Sequence, residues 1–230
     1  MVSMAVQKKS MIRSGIGAIT SLIGIVLLVL AVLRWREIGW PAMLWLVAFF
    51  VQTAIRAPYS IRNAKNTIST SQKDAVEVAL LMGMFATMMV LPLLYLGLGV
   101  FSFADYGLPE WAAAVGAALM AISLWLFWRS HADLGRNWSP GLEVRDGHEL
   151  VTNGIYARIR HPMYAAIWGA AAAQPLLVQN WIAGFLVLPA FALMWFIRVP
   201  KEEAMMRRQF GPAYDAYCGR AGRLFPKRFA

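Results

Sequence analysis

The sequence predicts an all-α integral membrane protein with about six transmembrane helices, the last two a tight helical hairpin. Three observations predict it. Hydrophobic residues make up 59% of the chain and charged residues 15%, against roughly 45–50% and 25% in soluble domains. Apolar segments recur at 14–33, 41–55, 75–100, 110–128, 163–179 and 181–197, and polar stretches separate them. Basic residues gather in alternate polar stretches, as the positive-inside rule requires.

Taken in order, Lys8, Lys9 and Arg13 precede the first apolar run. That run is longer than the core of a signal peptide, so it reads as a retained first span. Gly15 and Gly17 lie in it with no preceding strand, which fits close helix packing and not a dinucleotide loop. Arg34 to Glu37 form a polar turn, and Pro41 opens the second span. Residues 56–74 read as a polar loop carrying Arg56, Arg62, Lys65 and Lys73. Pro92 is the expected bend of the third span. Ala112, Ala113, Gly116 and Ala117 mark packing faces of the fourth. A long polar loop covers 129–162. Two short spans then meet at Gln179-Asn180. The tail starts at Arg198, with a helix expected to open at Pro200, to hold Glu202 and Glu203 in its first turn, and to stop at Gly211. Pro212 opens another.

The net charge of +10 does not imply nucleic acid. The cations sit at the ends of apolar segments and in the tail, where anionic headgroups attract them. Both termini, the 129–162 loop and the tail are therefore expected on the cytoplasmic side, with only Arg34 and Arg36 against the pattern. The absence of a targeting tail suggests a prokaryotic inner membrane. The single cysteine, Cys218, allows no internal disulfide and no thiol cluster, and no metal site is expected.

Chemistry concentrates in 147–164. His148 and His161 lie there, with His131 just upstream. A polar, aromatic loop between apolar blocks is where a membrane protein keeps a site. The segment Gly147-His148-Glu149-Leu150-Val151-Thr152-Asn153-Gly154-Ile155-Tyr156, followed by Arg160-His161-Pro162-Met163-Tyr164, resembles the cofactor segment of the isoprenylcysteine carboxyl methyltransferase family, in its prokaryotic form. Arg198, Glu202-Glu203, Phe210-Gly211, Tyr214, Tyr217, Arg220 and Pro226 continue the resemblance in order. It covers about residues 129–228, and the first hundred residues match only as generic spans.

The resemblance implies a methyltransferase that uses S-adenosyl-L-methionine in a non-Rossmann pocket. That pocket would be built from the loop, the hairpin and the C-terminal helices (129–230), with 1–128 as a four-helix region giving acceptor access. By position it assigns His148, Glu149, Leu150, Val151, Tyr156, His161, Pro162, Met163, Tyr164 and Glu202 to the cofactor. Arg198 falls to the acceptor's carboxylate, with Arg198 and Glu202 as the candidates for the reacting centre. Aromatic and aliphatic side chains can sandwich an adenine, a carboxylate can hold an amine or hydroxyl, and a guanidinium binds a carboxylate through two bonds. The expected partners are a lipophilic methyl acceptor and membrane lipids. A phospholipid amine or small thiol as acceptor, an NADPH-dependent reductase of the sterol-reductase type, and a small transporter or structural protein are the alternatives. Glu203, Tyr214 and Tyr217 read as structural. His131 and Asp133 have no assigned role.

Overall fold

Among the described residues, four helices are long and apolar enough to cross a membrane: Arg36–Arg62, Ala75–Leu98, Glu110–Leu134 and Trp181–Phe210. The computed structural model describes residues 22–63, 68–71, 74–138, 143–145 and 149–227. The elements are α1 (Leu22–Leu33), α2 (Trp35–Asn63), β1 (Ile68–Ser71), α3 (Ala75–Phe85), α4 (Leu91–Leu98), α5 (Glu110–Leu134), β2 (Glu143–Arg145), α6 (Pro162–Leu177), α7 (Val187–Phe210) and α8 (Pro212–Arg220). The fold is all-helical apart from the antiparallel pairing of β1 with β2. That ribbon joins the segment after α2 to the segment after α5 at one end of the bundle.

Four of the six expected spans are thus seen as long helices among the described residues. The first expected span is described only from Leu22, as the short apolar α1. The fifth is α6, which has 16 residues and is too short to cross unaided. The lipid-facing character of the bundle shows in large apolar side chains left exposed, among them Leu33, Phe50, Trp111, Ile122 and Phe196.

Three boundaries differ from the sequence reading, the simplest being that α5 runs on to Leu134, past the expected end at 128 and into the expected loop. The second span does not stop near residue 55: α2 continues to Asn63. Its polar residues Gln52, Thr53, Arg56 and Ser60 line an internal cavity, so the helix turns polar without becoming a loop. Gly39, at φ +73, breaks the helix just before Pro41, a conformation that glycine takes at no steric cost. Nor does Pro200 open a helix. It lies inside α7, which runs unbroken to Phe210. The missing N–H weakens one turn, while ion pairs from Arg198, Lys201 and Glu203 hold the helix on both sides of it.

Pro92 deforms the third span as expected. A π turn spans Ala86–Val90, and Leu91 N–H reaches back to Ala86 O. The next bond of that series would need an N–H on Pro92, which has none, so Thr87 O is left without one. Gln174 of α6 supplies the missing donor: its Nε2 lies 2.9 Å from Thr87 O and 2.9 Å from Ala183 O. Its Oε1 accepts from Trp45 Nε1 at 3.3 Å. One fully buried amide therefore ties α2, the π turn and the start of the last helix together.

Helices α5 and α6 approach closely through small residues. A methyl group added at Gly116 would fall 2.8 Å from Leu176 Cβ, and one at Gly169 would clash with Ser123 Oγ. At the far end, Asn180 caps the last helix by accepting from Ile182 N and Ala183 N, and donates to Phe101 O and Asp105 Oδ1, each at 2.7 Å. Arg34 donates to Leu96 O at 3.2 Å and pairs with Glu37 at 2.8 Å. This cation breaks the charge pattern because it satisfies carbonyls at the end of α4.

Candidate functional site

A cavity of about 710 Å³ opens where α2, α3, α6 and α7 meet the 149–164 segment and α8. One part is apolar, lined by Phe49, Leu81, Met84, Met88, Ile167 and Met194. The other is polar and aromatic, and it gathers the residues singled out in the sequence. Glu149, Leu150, Val151, Tyr156, His161, Pro162, Met163, Tyr164, Arg198 and Glu202 all line it. His148 lies outside the described residues.

Local structure explains the convergence. Gly154, at φ +55, opens the turn Gly154–Ala157, and a side chain there would run into the Asp133 carboxylate. Asp133 instead accepts from Ile155 N at 2.7 Å and pairs with Arg129 at 3.0 Å. Asp133 therefore anchors the turn that carries Tyr156. Tyr156 is buried, and its carbonyl accepts from Tyr217 Oη at 2.7 Å. Burial pushes the Tyr156 phenol well above the ordinary tyrosine range, and the Glu202 charge adds to this. Burial likewise raises Tyr217 to about 12. Both phenols are neutral at ordinary pH.

The chain then runs beside the C-terminal segment. Ile159 bridges Gly222, Arg160 N donates to Gly222 O at 2.7 Å, and His161 N to Arg223 O at 3.0 Å. His161 leads into α6, with Pro162 at its first turn.

Glu203 is the hub of this assembly. It is 1% exposed. Its carboxylate takes Arg223 at 2.7 Å, His161 Nε2 at 3.2 Å and Arg160 at 3.3 Å. A buried carboxylate is tolerable only with such partners. Glu202, one residue earlier, points into the cavity. Its Oε2 accepts from Tyr164 Oη at 2.7 Å, and His161 Nδ1 lies 3.9 Å from its Oε1. Two adjacent acids thus divide: Glu203 builds the wall, and Glu202 is offered to a ligand. His161, Tyr164 and Trp195 pack edge to face, with centroids 5.5–5.9 Å apart.

Arg198 lies one turn before Glu202 and also faces the cavity. Its Nη1 is 3.3 Å from Oε1 of Glu77, a carboxylate 2% exposed in the first turn of α3. A second pair, Lys201 with Asp74 at 2.9 Å, lies one turn beyond. Asp74 caps α3 by accepting from Glu77 N at 2.7 Å. This bond, and then Lys201, holds the Asp74 carboxyl below the usual range.

Sequence reasoning gave Arg56, Glu77 and Asp133 no part in this region, and it quoted Arg160 and Glu203 in the motif series without their pairing. Glu77 carries no mark in the sequence and Arg56 reads as a loop cation, and only the packing reveals what each of them meets. His131 is fully buried among Tyr59, Phe127 and Trp138 and bonds to Phe127 O at 2.9 Å. It supports the helix and does not line the cavity.

Comparison with known proteins places this geometry. Residues 114–208 match the model of the isoprenylcysteine carboxyl methyltransferase (ICMT) family. The match is confined to this segment of the chain. It runs from α5 to the end of α7 and holds every nominated site residue. The nickel-cobalt-cadmium resistance protein NccN of Alcaligenes xylosoxydans xylosoxydans is 28% identical over 114 residues, 49% of this chain and 52% of that protein. Protein-S-isoprenylcysteine O-methyltransferase of Schizosaccharomyces pombe is 34% identical over 70 residues, 30% of each chain. A probable protein-S-isoprenylcysteine O-methyltransferase of Oryza sativa subsp. indica is 35% identical over 89 residues, 36% of this chain and 44% of that one. The chain spans about half or less of these relatives' length. The solved structure of the eukaryotic intramembrane Ras methyltransferase ICMT superposes with a TM-score of 0.54 over 87% of this chain and 72% of that one, at 20% identity. The ICMT fold therefore extends beyond the matched segment to most of the bundle.

Proposed function

We propose that this protein is a membrane methyltransferase that uses S-adenosyl-L-methionine and methylates a lipophilic acceptor at a carboxylate of the isoprenylcysteine type. The observation that carries this is the single cavity, polar and aromatic at one part, apolar at the other, with Arg198 lining it. At about 710 Å³ it lies within the range of small-molecule sites.

The residues present fit the cofactor. Glu202 offers a carboxylate already fixed by Tyr164, suited to an ammonium or a ribose hydroxyl. Tyr156, Tyr164, Leu150 and Met163 offer faces for a planar base. His161 is fixed through Nε2 by Glu203, so its ring is oriented before any ligand arrives. His148 and Glu149 are assigned to the same role by resemblance. S-adenosyl-L-methionine supplies a methyl on a sulfonium, and its transfer to an anionic oxygen cancels one positive and one negative charge.

The chain's own work is positioning and exclusion of water. Arg198, pinned by Glu77, holds the acceptor carboxylate by charge-assisted bonds. An ionised carboxylate needs no general base, and no proton moves. The apolar lining keeps the meeting point poor in water, which favours charge cancellation. Residues 1–128 serve acceptor access and 129–230 the cofactor. Both termini face the cytoplasm, in a prokaryotic inner membrane, by the distribution of basic residues.

The test is methyl-labelled S-adenosyl-L-methionine with an S-prenylcysteine acid and the protein in lipid nanodiscs. Base-labile label in the organic extract is the expected result. Arg198→Gln lowers kcat/KM about 100-fold, the worth of a charged hydrogen bond of about 1.5–3 kcal/mol. Base-stable label in a lipid or a thiol would move the acceptor to an amine or sulfur. No transfer by folded protein would overturn the reading.

A further inference from the structure

The arginines that line the cavity are not all alike. Arg160 is matched by Glu203, and Arg198 by Glu77. Glu202 is held by a neutral tyrosine. Arg56 is different. It lines the same cavity, yet among the described residues no carboxylate lies within ion-pair distance of it. Its guanidinium instead rests over the Trp138 ring, 5.2 Å from the centroid. Trp138 is buried and also lines the cavity, so the cation is directed by a rigid wall and does not simply reach for headgroups. Arg56 keeps an exposed surface. Of the three arginines that line this cavity, Arg56 is therefore the one with no carboxylate within ion-pair distance among the described residues. Such an arrangement favours an anion that binds both Arg56 and Arg198.

We propose that Arg56 is the second guanidinium of the acceptor site, so that the anionic group of the acceptor is held between Arg56 on α2 and Arg198 on α7. This rests on the methyltransferase reading and names the residue that selects an anionic over a neutral acceptor. The polar end of α2 then has a purpose: it carries the selecting cation to the junction of the cavity's two parts. A guanidinium on an aromatic face keeps its N–H edge free for a carboxylate while the ring fixes its plane.

The test compares binding of an S-prenylcysteine acid with that of its carboxamide, by calorimetry in detergent, for wild type, Arg56→Met and Arg56→Lys. S-adenosylhomocysteine binding is measured alongside on every variant, and Tm reports folding. The wild type is expected to prefer the acid at least tenfold. Arg56→Met loses that preference, Arg56→Lys keeps part of it, and all three bind S-adenosylhomocysteine alike. Arg56→Met that retains the preference, or a wild type that binds acid and amide equally or binds neither, overturns the anion site while the cofactor reading stands on its own titration. A wild type that binds no S-adenosylhomocysteine defeats the underlying reading instead. If Arg56→Met does not fold, Arg56→Lys with an unreduced preference and unchanged affinity overturns the proposal.

Discussion

At the scale of single residues, two neighbouring acids carry different loads. Glu203 is surrounded by Arg160, His161 and Arg223, and Glu202 faces the cavity. Removing one partner from a buried ion network costs about 3–5 kcal/mol. Glu203→Ala should therefore lower the Tm in detergent sharply, leaving Arg160 buried and uncompensated. Glu202→Ala, at a position 28% exposed, should leave Tm almost unchanged. Thermal melts of both variants check this, and equal losses would contradict the division. The pair also shows the limit of reading residues alone. The sequence marks both acids as a helix-dipole feature with Glu202 favoured for a ligand, and in the structure Glu202 lines the cavity. That Glu203 organises the wall depends on partners far away in the chain, which no local pattern reveals. The same holds for Glu77, whose partner Arg198 lies on α7.

At the scale of elements, buried polar side chains repair the backbone where the helices break. Gln174 answers the carbonyl that Pro92 strips of its donor, and Asn180 caps the last helix while tying it to the 101–105 turn. Each bond of this kind is worth about 0.6 kcal/mol within membranes, at most near 1.7. Gln174→Leu removes three, so a loss of about 2 kcal/mol is expected, read as a lower midpoint of unfolding in mixed detergent micelles. A change within error would mean that water or relaxation satisfies Thr87 O. The sequence locates these breaks: Pro92 as a bend, Gly211 as a stop, Pro41 and Pro212 as starts. It fails where a helix continues through residues that look like punctuation. Polar Arg56 and Ser60 stay helical because a cavity receives them, and Pro200 stays helical because ion pairs grip α7 on both sides. Periodicity reports lipid and core, and an internal cavity belongs to neither.

At the scale of the molecule, the bundle joins a membrane-facing apolar cavity to a polar chamber closed by the C-terminal segment. The all-helical membrane fold and the residues around that chamber were legible in composition and in one motif series. Four of the expected crossings are long apolar helices, while α6 and the described part of α1 are shorter than a bilayer is thick. The proposed orientation follows the cations. In a Cys218→Ser background, Gly107→Cys, at an open loop position, should react with an impermeant maleimide added outside intact cells, and a cysteine introduced at Pro226 should not. The reverse labelling would invert the topology.

The account stands on the chamber being a cofactor site, and calorimetric titration with S-adenosylhomocysteine tests that most directly. Wild type in detergent should bind with micromolar affinity, and Glu202→Ala and His161→Ala should each weaken binding at least tenfold while remaining folded. Folded wild type that shows no binding, or variants that bind as well as wild type, would contradict it.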